Sequence, residues 1–132
     1  MVIDTSAAIA ILRGEAERRS LIEAIEAADS RRMSVATFVE ISIFVDARYG
    51  AEGLRDLDRF LARAEVELVP VDKDQALLAR EAFSRYGKGH HKAGLNYGDC
   101  FSYALAMVLG EPLLCKGEEF LQTDIAIASL ST

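Results

Sequence analysis

The chain has 132 residues, of which 51% are hydrophobic. This length supports one substantial core but not two ordinary domains, so the sequence predicts a single domain over residues 1–132. Its 21 acidic residues outnumber its 15 Lys and Arg residues and give a net charge of -6. That balance argues against broad electrostatic attraction to nucleic acids or anionic membranes, so a polyanion would have to bind at a local site.

The cysteines and the apolar segments predict a cytoplasmic protein. Cys100 and Cys115 lie in apolar stretches without CxxC spacing, which is typical of buried, reduced thiols. The amino-terminal segment lacks the basic leader of a secretory signal. No segment reaches the ~18 apolar residues needed to cross a bilayer, so we expect no membrane contact.

Short apolar runs alternate with longer helical patterns along the chain, which is typical of a parallel sheet flanked by helices. In chain order, the predicted elements are strand Val2 to Asp4, helices Ser6 to Leu12 and Ala16 to Ala28, strand Met33 to Val35, helices Ala36 to Tyr49 and Gly53 to Ala64, strand Val66 to Val71, helices Asp72 to Tyr86 and Tyr97 to Leu109, strand Leu113 to Cys115, helix Glu118 to Gln122 and strand Ile125 to Ala128. The predicted fold class is therefore α/β, with a short parallel sheet between helical layers.

Carboxylates stand near the ends of several predicted strands. Asp4 ends the first strand, and Glu40 lies just over one turn into the helix after the second. Asp99 lies in the first turn of a later helix, and Glu118 follows the strand to which that helix leads. Strand ends and helix starts share one edge of an open α/β sheet. We therefore expect these four acids to converge there.

Each acid also has an ordinary structural explanation. Thr37-x-x-Glu40 and Asn96-x-x-Asp99 fit the capping pattern, in which an acid satisfies a backbone N–H at a helix start. Asp4 could likewise cap the helix that follows it. Capping does not explain, however, why several acids would converge at one edge. Like charges gathered beside a core are costly unless a cation neutralises them.

The accompanying donors favour Mg²⁺ or Mn²⁺ as that cation. Carboxylates with the Ser6 hydroxyl and the Asn96 amide, and no His or Cys at matched spacing, suit these hard cations better than zinc. Such a site indicates phosphoryl-transfer or phosphodiester chemistry. Lys88 and Lys92, in the basic loop before the Asp99 helix, are candidates for contacts with phosphates.

Four motifs together resemble the PIN-domain ribonucleases, with the closest similarity to VapC toxins of type II toxin-antitoxin pairs. They are VIDTSA at 2–7, Thr37-Phe38-Val39-Glu40, LNYGDCFSYALA at 95–106 and PLLCKGEEFLQTDI at 112–125. The resemblance implies a three-layer PIN-like fold and an endoribonuclease that cleaves RNA phosphodiester bonds by metal-activated water.

The resemblance also implies site residues and partners. Asp4, Glu40 and Asp99 would be metal ligands, and Ser6 would support them. Glu118 best matches the fourth acid. Glu119 and Asp124 are the alternatives for it. The implied partners are an RNA substrate, a second copy of the chain in a homodimer, and a VapB-like antitoxin whose basic side chain enters the acidic groove.

A phospho-acceptor receiver domain is the alternative from another functional class. Asp72 lies just beyond one predicted strand and Lys116 just beyond a later one, as a receiver would require. Against this, receivers need paired acids after the first strand, whereas Asp4 is followed by Thr5, and Asp99 would have no role. A binding module that kept the fold without the chemistry is a third interpretation.

Overall fold

The computed structural model describes residues 1–130 and contains a four-stranded, fully parallel sheet with helices on both faces. In chain order, the elements are β1 (Val2–Ile3), α1 (Thr5–Leu12), α2 (Arg18–Ala27), β2 (Arg32–Ser34), α3 (Val35–Arg63), β3 (Glu67–Val69), α4 (Lys73–Tyr86), α5 (Tyr97–Leu109), β4 (Leu113–Leu114) and a 3₁₀ helix (Phe120–Gln122). The strand order is β3-β2-β1-β4. The predicted α/β class is confirmed.

Alternate residues of β1 and β4 face opposite sides of the sheet, so the sheet is the middle of three layers, with helices packed on each face. Val2 pairs with Leu113, and both pack in the core formed with α4 and α5. Ile3 pairs with Leu114, and both pack in the second core, formed with α1, α2 and α3. All four side chains are fully buried. Because strand side chains alternate, even two-residue strands anchor both cores.

Helix α3 consists of two helical segments that meet at a kink at Gly50. The sequence predicted two helices, and the first ends at Tyr49 as expected, but the second begins directly after Gly50 and not at Gly53. The backbone of Gly50 has φ 65 and ψ −154, a conformation that glycine adopts without steric cost. The glycine therefore changes the direction of the chain without an intervening loop.

Three predicted elements differ from the structure: two are shorter than expected and one is absent among the described residues. The strand expected from Val66 to Val71 is only β3, an edge strand whose Leu68 is 37% exposed. The strand expected from Ile125 to Ala128 is absent, because this segment makes only one isolated bridge, between Leu113 and Ile127. The helix expected from Glu118 to Gln122 is the short 3₁₀ helix. Apolar composition alone therefore did not determine how far these elements extend.

Candidate active site

A cleft of about 240 Å³ lies at the carboxyl edge of the sheet. The side chains that line it are Asp4, Thr5, Ser6, Glu40, Asn96, Asp99, Lys116, Glu119 and Phe120. Four of these residues are acidic and one is basic. The structure thus brings Asp4, Glu40 and Asp99 together, from the end of β1, from α3 and from α5.

Asp4 is the most deeply buried carboxylate of the cleft, at 2% exposure, and it caps α1. Its Oδ1 accepts a hydrogen bond from Ser102 Oγ at 2.6 Å. Its Oδ2 accepts from the Ser6 N–H at 3.0 Å and from Ser6 Oγ at 2.7 Å. These donors fix the orientation of the carboxylate, and its remaining lone pairs are available to a cation.

Glu40 reaches the cleft because the second residue of α5, Gly98, has no side chain. Its Oε1 accepts a hydrogen bond of 2.5 Å from Thr5 Oγ1. A Cβ atom placed on Gly98 would lie only 1.9 Å from Glu40 Oε2. The missing side chain at position 98 is therefore the space that the Glu40 carboxylate occupies.

Asp99 both caps helix α5 and belongs to the cluster of acids, the two interpretations that the sequence left open. Its Oδ2 accepts a hydrogen bond from the Asn96 N–H at 2.9 Å, and its own N–H donates to Asn96 Oδ1 at 2.8 Å, which completes a capping box. The pKa of Asp99 is raised to about 7, mainly by burial; the hydrogen bond from the Asn96 N–H opposes this rise, and the charges of Asp4, Glu40 and Glu119 contribute to it. Asp99 thus caps its helix while it belongs to a repulsive acidic cluster.

The structure separates the candidates for the fourth acid. Glu119 lines the cleft, whereas Glu118 lines a neighbouring hollow with Lys92. Asp124 accepts a hydrogen bond from Tyr103 Oη at 2.5 Å and lies 3.7 Å from Arg85, outside the cleft. The expectation that Glu118 would join the other acids is corrected to Glu119. Neighbouring residues in this turn point in different directions, so sequence alone could not distinguish them.

Two hydroxyl groups that support Asp4 were missed from the sequence. Ser102 and Thr37 are both fully buried, with their side-chain oxygens 3.2 Å apart, and this contact joins α5 to α3 beneath Asp4. A signal for Ser102 exists, because it follows Asp99 by three residues on a largely apolar helix. Residues with that spacing lie on one helix face.

Lys116 also lines the cleft, but its charge is directed away from the acids there. Its backbone N–H donates to Ser6 Oγ at 2.9 Å. Its ammonium group pairs with Glu15 and lies 3.2 Å from Glu17 Oε2. The pKa of Lys116 is raised by these two hydrogen bonds, first by that to Glu15. The negative charge of Asp4, Glu40 and Asp99 is therefore left without a close ion pair among residues 1–130.

The oxygen donors of the cleft fit a hard divalent cation. Carboxylates, hydroxyls and an amide oxygen are the ligands that Mg²⁺ and Mn²⁺ prefer. Over residues 1–130, no three His, Cys, Asp or Glu side chains stand close enough to coordinate one ion directly. Mg²⁺ keeps several of its waters and typically takes only one or two protein carboxylates, so the spacing accords with an ion held partly through water.

The residues of the receiver alternative do not meet. Asp72 caps α4, where its side chain accepts a hydrogen bond from the Gln75 N–H at 2.9 Å. It follows β3, whereas Lys116 follows β4, and these strands form opposite edges of the described sheet. Three strand spacings of ~4.8 Å separate the two edges. Asp72 and Lys116 therefore form no joint site.

The comparisons with known proteins agree with this fold and this cleft. The family model of the PIN domain matches residues 1–126. Ribonuclease VapC30 of Mycobacterium tuberculosis is 53% identical over 130 residues, covering 98% of this chain and 99% of its own. Ribonuclease VapC of Mycolicibacterium smegmatis is 56% identical over 126 residues, covering 96% and 98%. The chain therefore belongs to the PIN domain family and, within it, to the group of VapC ribonucleases.

Solved structures confirm the PIN-like fold. Mycobacterium tuberculosis VapC20, described as a sarcin-ricin loop cleaving toxin, superposes with a TM-score of 0.80 at 16% identity and covers 98% of both chains. VapBC2 from Rickettsia felis, bound to a DNA fragment from its promoter, gives a TM-score of 0.76 at 14% identity and covers 96% of this chain and 94% of its own. The similarity inferred from the four motifs is thus confirmed.

Proposed function

We propose that the protein is a divalent-metal-dependent endoribonuclease that acts as the toxin of a type II toxin-antitoxin pair. The observation that carries this proposal is the convergence of Asp4, Glu40 and Asp99 in one cleft. It occurs in a chain more than half identical to proteins named as ribonucleases. Since a carboxylate cluster alone would repel phosphates, RNA cleavage there requires a neutralising cation.

The acids of the cleft would hold Mg²⁺ or Mn²⁺. Asp4, Glu40 and Asp99 are the proposed ligands, one or two of them directly and the others through bound water, with Glu119 in place of Glu118 as the fourth acid. A bound divalent ion would lower the pKa of a coordinated water and stabilise charge on the phosphate. Hydroxyl groups and one backbone N–H of the chain orient the carboxylates for this role. Ser6 and Ser102 donate to Asp4, and Thr5 donates to Glu40. The backbone N–H of Asn96 donates to Asp99.

The substrate would pass the basic loop that precedes α5. Lys88 and Lys92 are both exposed in this loop, and Lys92 lines the hollow beside the cleft. Their ammonium groups could bind backbone phosphates while the metal ion neutralises the acids. The net charge of -6 gives no general attraction for RNA, so these local contacts would guide it into the cleft.

Metal removal tests the proposed function. The purified protein should cleave single-stranded RNA in Mg²⁺ and lose that activity in EDTA, and excess Mg²⁺ or Mn²⁺ should restore it, because the acidic cleft repels phosphates without a cation. Cleavage is measured by gel analysis of an end-labelled RNA. Asp4→Asn purified in parallel controls for contaminating ribonucleases. Undiminished cleavage in EDTA by the wild type, but not by Asp4→Asn, would contradict metal dependence.

Gly98→Ala tests the packing of Glu40 against α5. The new methyl group would occupy the place of the Glu40 carboxylate, so we expect cleavage to fall by roughly 10- to 100-fold, as when metal-site supports are lost. Glu40 is flexible at its far end, and alanine favours a helix over glycine, so the melting temperature should not fall. Both quantities are measured on the same preparation.

A double-mutant cycle provides the control for Gly98→Ala. Once Glu40→Gln has removed the carboxylate function, adding Gly98→Ala should lower cleavage little further, since both changes act on one group. Fully additive losses would show that position 98 acts through something other than Glu40.

The partners follow from the same proposal. A VapB-like antitoxin would insert a basic side chain among the acids, where charge-assisted hydrogen bonds are strong. Among the solved structures of similar fold is one described as a toxin-antitoxin complex from Klebsiella pneumoniae. Exposed apolar side chains, such as Ile43 at 65% and Tyr97 at 78%, offer surface for the antitoxin and for a second copy in a homodimer. We place the activity in the cytoplasm, where RNA substrates occur.

No helix among residues 1–130 has both the length and the apolar character that a bilayer crossing requires.

A further inference from the structure

A second hollow, of about 530 Å³, adjoins the acidic cleft. It is lined by Lys92, Ala93, Gly94, Glu118, Glu119 and Gln122. Glu119 also lines the acidic cleft, so the two depressions share a wall. An RNA strand whose phosphate lies in the cleft would therefore bring a neighbouring nucleotide into this hollow.

The side chains of the hollow can read a nucleobase. Its volume falls within the roughly 300–1,000 Å³ range of small-molecule sites. Ionised Glu118 offers only acceptors, Gln122 offers both donors and acceptors, and Lys92 offers donors. Within residues 1–130, the Glu118 and Gln122 side chains are hydrogen-bonded to no other residue, so both are available to a ligand.

Charge distinguishes which part of a nucleotide the hollow would take. Glu118 and Glu119 repel a phosphate, while a carboxylate accepts hydrogen bonds from the exocyclic amino group of a base. Lys92, on the loop side, can bind the phosphate that follows the base. Unstacked single-stranded bases are the parts of RNA that proteins read in sequence-specific recognition.

We propose that this hollow is a base-binding subsite that holds the nucleotide beside the scissile phosphate and favours amino-bearing bases over uracil. Adenine, cytosine and guanine each present an amino group to Glu118, whereas uracil presents carbonyl oxygens in its place, which the carboxylate repels. The inference rests on the proposed function, because the scissile phosphate defines where the subsite lies. Glu118 thus serves substrate selection instead of metal binding.

Binding to a cleavage-deficient background tests the subsite directly. The Asp99→Asn protein is titrated in Mg²⁺ with labelled oligo-A, oligo-C and oligo-U of equal length. Oligo-U should bind at least about fivefold more weakly than oligo-A or oligo-C, the lower end of the discrimination that one good base contact gives. Adding Glu118→Gln should remove most of that difference, since an amide can also donate to a uracil carbonyl. Gln122→Ala should reduce it as well.

Glu81→Gln is the matched control for Glu118→Gln. Glu81 is exposed on α4 and lines neither the cleft nor the hollow. Its substitution removes the same charge, so it should change the affinity for all three RNAs by one common factor and leave their ratio intact. A loss of discrimination in both variants would overturn the proposal, because net charge would then explain it.

A second readout uses the active chain. Wild type and Glu118→Gln cleave an RNA of mixed sequence, and the bases beside each cut are counted. Uracil should become at least about fivefold more frequent at one position beside the cut in Glu118→Gln. Equal base distributions, or equal binding of oligo-U and oligo-A, would overturn the subsite. Cleavage that survives Asp99→Asn would count against the proposed function. The relative affinities for oligo-U, oligo-A and oligo-C would still test whether the hollow binds a base.

Discussion

Asp4→Asn should lower RNA cleavage by at least about 100-fold, because it removes the central carboxylate of the proposed metal site, and loss of mere supporting groups already costs ~10- to 100-fold. The fold should survive the change. The Asn oxygen can accept from the Ser6 N–H, and its amide can donate to Ser102 Oγ, which can turn its own hydroxyl toward Thr37. The loss would therefore be chemical and not structural.

The measurement is the initial rate of cleavage of a labelled RNA at saturating Mg²⁺, with circular dichroism and a melting curve on the same sample. Asp58→Asn is the matched control, since Asp58 is exposed on α3 and does not line the cleft. It should cleave at the wild-type rate. A folded Asp4→Asn protein that cleaves within a few-fold of wild type would remove Asp4 from the site.

Asp99→Asn should raise the stability of the metal-free protein at neutral pH and largely abolish its response to Mg²⁺. The pKa of Asp99 is raised from 3.8 to about 7 by burial and by neighbouring acids. Between these two values the folded state binds more protons than the unfolded state, so wild-type stability should fall as pH rises through this window. The variant has no such proton to lose, and its Asn can still accept the capping hydrogen bond from Asn96.

Bound Mg²⁺ should make wild type more stable than Asp99→Asn, the reverse of the order expected without metal. Mg²⁺ at a hundredfold excess over its dissociation constant stabilises a protein by about 2.7 kcal/mol, and wild type should gain this amount while Asp99→Asn gains much less. Melting temperatures from pH 4 to pH 8, with Mg²⁺ and with EDTA, provide the comparison. Equal metal-induced shifts in the two proteins would show that Asp99 acts only as a helix cap.

Several elements could be predicted from sequence because local chemistry determines them. Helix α5 begins and ends as expected, because Asn96 and Asp99 form the capping box at its start and Gly110 adopts the left-handed conformation, with φ 64, at its end. Asp4 and Glu40 could be placed at one edge because strand ends and helix starts coincide there in any parallel α/β sheet. Periodicity and capping were sufficient for these inferences.

Sequence reasoning failed where the outcome depends on packing between distant segments. The apolar run from Ile125 to Ala128 looked like a strand, but beside the edge strand β4 it makes only one isolated bridge, between Ile127 and Leu113. Gly98 was not singled out, because its importance comes from Glu40, which lies on another helix. A contact between segments far apart in the chain leaves no local pattern to read.

The sequence by itself predicted the α/β fold class and the meeting of Asp4, Glu40 and Asp99 at the sheet edge, because alternating apolar patterns, caps and strand ends are local properties. The family was indicated by the resemblance of four motifs. The tertiary structure decided which side chains complete the cleft. It placed Glu119 there and Glu118 in the adjoining hollow, since the direction of each side chain depends on how the turn after β4 packs. It also brought Ser102 and Thr37 beneath Asp4, because only the packing of α5 against α3 and β1 creates that contact.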